Sequence, residues 1–562
     1  MTPAGAFTFV LHSHLPYARK AGRWPHGEEW IHEAAAETYV PLLIQLYNLK
    51  EEGVRYKLTI GITPILGEQL ADALVQDHFD GYLQDKIDAA TKDVSRFQAE
   101  GDRQREYLAT FYRDTFTGIK QAFDARFGRD IPGAFKALQD EGYIEIITSA
   151  ATHGYLPLMG RDSSIYGQLR TGVASYERLY GRKPRGIWLP ECAYRPAYIT
   201  DKGAIRPGIE RFLSELGIKV FFSETHTITG GQPVGVAAGE TIGPYGEIKR
   251  RYLVPVSEKM PARQATTFLP YYVSDTTAGP GAEEHSGVAV IGRNNKTGMQ
   301  VWSADWGYPG EYDYREFHKK DGVSGLQYWR VTGAKVDLGF KDLYHPDWAA
   351  FKVNQHADHF AWLVANELRQ YHDETGEYGL IASNYDTELF GHWWFEGIEW
   401  IGGVLRRLAA NPEVELTTAS EFIEAHPPAS VLHIPESSWG VGGGHWTWDN
   451  HEVSWMWSPI WEAEARMEKL VARYPDASGD ARTVLNQAAR ELLLLQASDW
   501  PFLVTTGQAR EYAIQRFTQH VDRFNELLDS VEAGQPNRAL AEAYWEADKV
   551  FPNIDYRWFA AR

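Results

Sequence analysis

Residues able to do chemistry are spread along the whole chain, and a few sit in telling local patterns. His12-Ser13-His14 sets two imidazoles two positions apart, and on an extended segment such residues face the same side. Glu191, in Trp188-Leu189-Pro190-Glu191-Cys192-Ala193-Tyr194, follows an apolar run and a proline, a poor place for a merely solubilising charge. Asp386 lies in Ser383-Asn384-Tyr385-Asp386-Thr387-Glu388-Leu389-Phe390-Gly391-His392-Trp393-Trp394. Capping of a following helix accounts for its type, but not for the aromatic and polar density around it. His153, Glu224, His226 and Arg293 complete the set, whereas His26, His32 and His520 read as packed or surface histidines. Two chemistries fit these types. His12, His14, His153, His226 and Asp386 are candidate ligands for a zinc-dependent hydrolase. Glu191 and Asp386 also suit glycosidic cleavage by a carboxylate pair.

The elements that must carry these residues alternate in type. Apolar, β-branched runs at 6–13, 55–63, 143–148, 186–189, 219–222, 287–291 and 379–383 predict strands. Helical spacing at 28–52, 164–180, 204–216 and 348–374 lies between them. This repetition implies parallel strands with helical crossovers, hence an α/β fold. Each candidate follows a strand, and in a parallel barrel such positions share one mouth. Segment 68–139 reads as a helical insertion, 226–285 as long loops with a small hairpin, and 457–473, 481–497, 506–531 and 536–548 as an all-helical end.

Composition narrows the partners. A chain of 562 residues exceeds one ordinary core, so two or three domains are expected. The net charge of −19, with no dense Lys/Arg cluster, argues against nucleic acid. No run approaches the roughly 20 apolar residues of a membrane helix, and the short apolar run 7–11 reads as a strand rather than a signal peptide. The single cysteine, Cys192, excludes an internal disulfide and fits a reducing cytoplasm. Twenty Trp, 30 Tyr and 25 Phe, with many Trp beside Gly, Pro, Asp or His, suit the apolar faces and hydroxyl rims of neutral sugars.

The ordered segments His12-Ser13-His14-Leu15-Pro16-Tyr17, Trp188 to Tyr194, that containing Asp386, and Leu416-Thr417-Thr418-Ala419-Ser420-Glu421 resemble the motifs of glycoside hydrolase family 57. More narrowly, 22–30, 301–310 and 498–502 are similar to the 1,4-α-glucan branching enzymes of that family. The resemblance covers nearly the whole chain. It implies an incomplete (β/α)7 barrel at 1–67 and 140–432, a helical insertion at 68–139, and a helical C-terminal domain at 433–562 that contributes to the substrate cleft. It also implies a retaining mechanism with Glu191 as nucleophile and Asp386 as general acid/base, and no cofactor or metal. By the same resemblance His12, His14, His153, Trp24, Trp302, Trp439, Trp448 and Asp499 bind substrate, an α-1,4-glucan serving as donor and acceptor. The family's branching enzymes carry a loop tyrosine that favours transfer over hydrolysis. Here 229–236 has none, and Tyr245 is the nearest. The same scaffold also serves α-amylases and 4-α-glucanotransferases, and a non-catalytic glycan-binding protein is the reading from another class.

Overall fold

The computed structural model describes residues 3–233, 260–275, 284–303, 307–333 and 335–562. Its first strand, Gly5–Ser13, is buried along its full length. On one edge it pairs in parallel with Gly379–Asp386. On the other it pairs in parallel with Leu58–Ile62 and, near its start, with Val414–Leu416. Leu58–Ile62 pairs with Ile144–Ile147, and parallel bridges Thr148–Ile187 and Gly186–Val220 carry the pairing onward to Val220–Ser223. That strand pairs with His285–Gly292. The Asn294 N–H then donates to the Ala382 carbonyl at 3.0 Å, leading back to the strand beside the first. The architecture is thus α/β with a mostly parallel sheet.

Seven strand-like stretches were expected, and six are full strands. The seventh, 186–189, is held only by bridges. Pro190 has no N–H to extend a ladder, and the backbone turns sharply at Glu191. The expected helix 28–52 is three pieces, Glu28–Ala34, a π-turn over Ala35–Tyr39, and Val40–Glu51. Pro41 explains the break, because it cannot donate to the carbonyl four residues back. The helix expected at 506–531 begins later, at Arg510. Gly507, at φ 74, ends Asp499–Thr506 before Arg510–Glu532 begins. Tyr271–Ser274, from the expected loop segment, pairs antiparallel with His285–Gly292, which contains the strand expected at 287–291.

Alternation along the first strand decides what faces the site. Phe7, Phe9 and Leu11 join the large core under the helices, while Ala6 and Val10 join an inner cluster with Ile147, Trp188, Val220, Phe222, Ile291 and Ala382. His12 continues the inner row and is the register partner of Asp386. The insertion is a helical pair, Ala73–Glu100 and Arg103–Gln121, with Asp72 and Asp102 capping their starts. In the C-terminal part Gly479–Leu495 is buried from Val484 onward among Trp457–Arg473, Arg510–Glu532 and Arg538–Ala547. It docks through an antiparallel bridge between Gly154 and Ala497.

Gly391 has φ 95, and a Cβ there would meet the Glu37 carbonyl oxygen at 1.9 Å. Gly391→Ala therefore carries both left-handed strain and a backbone clash. It should destabilise by about 2 kcal/mol or more, read as a lower midpoint in thermal unfolding; an unchanged midpoint contradicts this packing.

Candidate active site

Glu191 sits on a turn whose backbone is unusual. Glu191 and Cys192 have φ of 58 and 51, a region that non-glycine residues adopt only when their surroundings hold them there. The Cys192 N–H donates to the Leu189 carbonyl at 2.8 Å, the Ala193 N–H to Pro190 at 3.0 Å, and the Trp439 N–H to the Glu191 carbonyl at 3.1 Å. Tyr194 and Ser437 exchange backbone bonds just beyond. The turn lifts the Glu191 side chain off the strand end, toward donors from distant sequence.

Both carboxylate oxygens are engaged. The Trp439 indole N–H donates to Oε2 at 2.8 Å, and the Ser498 hydroxyl donates to Oε1 at 2.9 Å. Burial pushes the Glu191 carboxyl up from the usual range and Asp499 adds to this, while the two hydrogen bonds and His14 oppose it. Asp386 is treated differently. Half-buried at the end of its strand, it has no side-chain hydrogen bond among the described residues. Burial, then the charges of Glu388 and Glu191, hold it well above the carboxylate range, with Arg293 opposing. Two carboxyls in one site, one supplied with donors and one without, are thereby separated in acidity.

Three histidines pack beneath them. His14 and His153 stack with centroids 3.8 Å apart, and His12 lies 5.1 Å from His153 while stacking on Trp188 at 5.0 Å. His14 Nε2 meets Asp499 Oδ1 at 2.9 Å and its Nδ1 meets Thr63 at 3.0 Å. Burial disfavours the His14 cation, but Asp499, helped by Glu191 and Glu388, outweighs it and raises its pKa. His12 and His153 are held well below the usual histidine value by burial, with the His14 charge adding to it. Glu388 accepts from the His14 backbone N–H at 3.2 Å and from the Tyr39 hydroxyl, and burial lifts it to about 7. Arg293 and Glu224, which follow adjacent strands, form a buried pair at 2.8 Å.

His12 and His153 bring their Nε2 atoms within 3.1 Å of each other, whereas the two nitrogens of His14 are taken up by Asp499 and Thr63. Among the described residues, the one group of three with ligand atoms within 4.8 Å of one another is Glu491, His520 and Asp548, inside the helical part. There Arg523 pairs with Asp548 and Arg516 lies against His520 Nε2, so guanidinium groups already fill the cationic role. His226 stands apart from the histidine stack, near Gly443.

The tryptophans differ in placement. Trp439 spans Glu191, Trp188 and His12. Trp302 is half-buried, its indole N–H directed to the Asn384 carbonyl at 3.4 Å and the Arg293 guanidinium 5.5 Å above its ring. Trp24 is 78% exposed. Trp448 is 0% exposed and stacks on Tyr155 at 4.5 Å, so its ring backs the wall that carries Trp439 rather than offering a sugar platform. Tyr245 lies outside the described residues. Ser498 and Glu388 escaped sequence reasoning as individual residues. Each lies within a quoted motif, one and two positions from Asp499 and Asp386, and that adjacency was the available signal.

The model described as glycosyl hydrolase family 57 matches residues 8–435, and that described as 1,4-alpha-glucan branching enzyme, C-terminal, matches 460–559. The chain is 44% identical over 556 residues to a 1,4-alpha-glucan branching enzyme of Thermococcus kodakarensis, covering 97% of this chain and 77% of that protein. It superposes on the crystal structure of a GH57-type branching enzyme from Pyrococcus horikoshii with a TM-score of 0.85 and 42% identity, covering 100% and 97% of the two chains. The crystal structure of the α-amylase AmyC from Thermotoga maritima is also similar, at TM-score 0.81 and 30% identity over 99% of each chain.

After burial, Glu388 is the largest influence raising the pKa of Asp386. Glu388→Gln should therefore lower the pH at which Asp386 ionises, followed by carbon-13 NMR of aspartate-labelled protein. An unchanged or higher ionisation pH contradicts this coupling.

Proposed function

The chain belongs to glycosyl hydrolase family 57, and from that premise we propose that it is a 1,4-α-glucan branching enzyme acting by two retaining displacements. The observation that carries this reading is that the segment matching the branching-enzyme C-terminal model delivers Ser498 and Asp499 into the site of Glu191 and His14. We read the seven successive parallel segments as an incomplete (β/α)7 barrel at 1–67 and 140–432. The insertion is 68–139 and the helical domain 433–562. The single cysteine, buried Cys192, suits a reducing compartment, and we assign the enzyme to the cytoplasm. Among the described residues, no helix is long and apolar enough to cross a membrane.

In the first step the ionised Glu191 attacks the anomeric carbon of an α-1,4-linked glucose. The C1–O4 bond breaks and O4 takes the Asp386 proton, leaving a covalent glucosyl-enzyme. In the second, a 6-hydroxyl of an acceptor glucan attacks C1. Asp386 receives the hydroxyl proton, the ester to Glu191 breaks, and an α-1,6 branch results. Such retention requires carboxyl groups roughly 5–5.5 Å apart. With no hydrogen-bond partner among the described residues, the Asp386 carboxyl is free to meet the glycosidic oxygen. His14, charged beside Asp499, is suited to bonding a sugar hydroxyl and balancing the carboxylates. Trp302, Trp439 and the exposed Trp24 supply flat apolar surface for donor and acceptor rings, Trp448 acting through the wall it supports. The part of Tyr245 is to shield the intermediate from water.

Similarity to AmyC favours one second reading, hydrolysis of the same glucosyl-enzyme by water. Amylose treated with the enzyme separates them. Branching raises α-1,6 linkages, counted after debranching, without matching reducing ends; reducing ends alone overturn it. Roles are tested with a glucosyl fluoride of maltotriose, whose leaving group needs no protonation. Asp386→Ala should lose amylose turnover by about 10³-fold or more while still releasing fluoride, and Glu191→Ala should lose both. Fluoride release by Glu191→Ala at the wild-type rate contradicts its assignment.

A further inference from the structure

We propose that Ser498 is a positioning residue for the Glu191 carboxylate, the last donor of a one-way hydrogen-bond chain running from His12 through His153. The inference rests on the reading of Glu191 as nucleophile. Three contacts define the chain. His12 Nε2 lies 3.1 Å from His153 Nε2, His153 Nδ1 lies 3.0 Å from Ser498 Oγ, and Ser498 Oγ lies 2.9 Å from Glu191 Oε1.

Proton counting gives this chain a single direction. An ionised carboxylate only accepts, so Ser498 must spend its one proton on Glu191. Its oxygen then accepts, which requires a proton on His153 Nδ1. Buried, and beside the charge of His14, His153 is neutral, so its Nε2 carries a lone pair. His12 must therefore donate through Nε2. His12 is neutral for the same reasons, which leaves its Nδ1 as a bare acceptor. That atom is the ring nitrogen of His12 with no partner among the described residues. Every member thus has one proton arrangement, and reversing any link leaves two lone pairs or two protons facing each other.

The backbone makes the same joint. The Ser498 N–H donates to the His153 carbonyl at 3.1 Å, beside the Gly154–Ala497 bridge, and His153 holds φ 57 at that point. Ser498 is therefore fixed by main-chain bonds before its hydroxyl is used. The next residue, Asp499, reaches His14. One turn of the helical domain thus sets a neutral donor on Glu191 and an anion on its neighbouring histidine. The groups facing Glu191 are His14 just past the first strand, His153 and Tyr155 from the loop after Ile144–Ile147, Asp386 at the end of Gly379–Asp386, the adjacent Cys192, and Trp439, Ser498 and Asp499 from the C-terminal part. Within this set Ser498 and Trp439 are uncharged donors to the carboxylate, and they favour its ionised form without supplying a cation.

The test is the pH dependence of kcat/KM on amylose for wild type, Ser498→Ala and Ser498→Thr. Loss of the hydroxyl removes a bond to the charged form, so Ser498→Ala should move the acid limb upward by about one pH unit. Ser498→Thr, which keeps the hydroxyl, should return it to within about 0.3 unit of wild type. An unmoved limb in folded Ser498→Ala, or equal shifts in both variants, overturns the chain. Glu191→Gln in the same series separates the two readings. If it is inactive, an unmoved limb defeats only the role of Ser498; if it turns over amylose, the nucleophile itself is misassigned. Nitrogen-15 NMR of histidine-labelled wild type gives a second measurement that needs no stable variant. It should show His153 as the Nδ1–H tautomer and His12 as Nε2–H, and the opposite tautomers contradict the direction of the chain.

Discussion

A carboxylate taken out of water must find donors or lose its charge, and Glu191 finds them in Trp439 and Ser498. Neither donor comes from the strand that presents the acid. Trp439 arrives on a loop bridged to Tyr194, and Ser498 on the first turn of a helix in the C-terminal part. The left-handed backbone at Glu191 and Cys192 is what turns the carboxylate toward them. Much of the surrounding order follows from that requirement. The Tyr155–His445–Glu436 hydrogen bonds brace the Trp439 loop, and buried Gln168, Thr152 and Gln496 tie the loop bearing His153 to the helices bearing Ser498. The C-terminal helical part thus supplies side chains to the proposed catalytic centre as well as packing beside it.

The same constraint separates the two acids. Among the described residues Asp386 has no donor, and it lies near Glu388, so its neutral form is favoured more strongly than that of Glu191, whose two hydrogen bonds oppose the effect of burial. Hydrolase and transferase share these acids, and the difference between them lies in which hydroxyl reaches C1. In the proposed mechanism, half-buried Trp302 and exposed Trp24 supply the surface that holds the competing acceptor.

Strand order and strand-end placement were legible because period-two apolar runs leave a clear trace and the acids fall just past them. The helical end was equally clear, with Trp457–Arg473 matching its expected bounds. Contacts joining distant residues were not legible. Nothing local in Ser498 says that it will meet Glu191, 307 positions away, and Glu388 reads as an ordinary acid until His14 and Tyr39 are seen on it. For Trp448 the resemblance implied a substrate contact, while packing against Tyr155 removes its ring from solvent. The interrupted helix at Pro41 and the missing ladder at Pro190 were written in the prolines themselves and were underweighted.

The central claim is that Glu191, held by donors from both parts of the chain, carries the sugar. A 5-fluoro-α-glucosyl fluoride slows the second displacement more than the first, so the covalent intermediate accumulates. Intact-mass and peptide mass spectrometry should then find one glycosyl group per chain, on the peptide containing Trp188 to Tyr194 and localised to Glu191. A label on Asp386, or a fully turned-over reagent with inverted anomeric product and no labelled enzyme, would contradict the account.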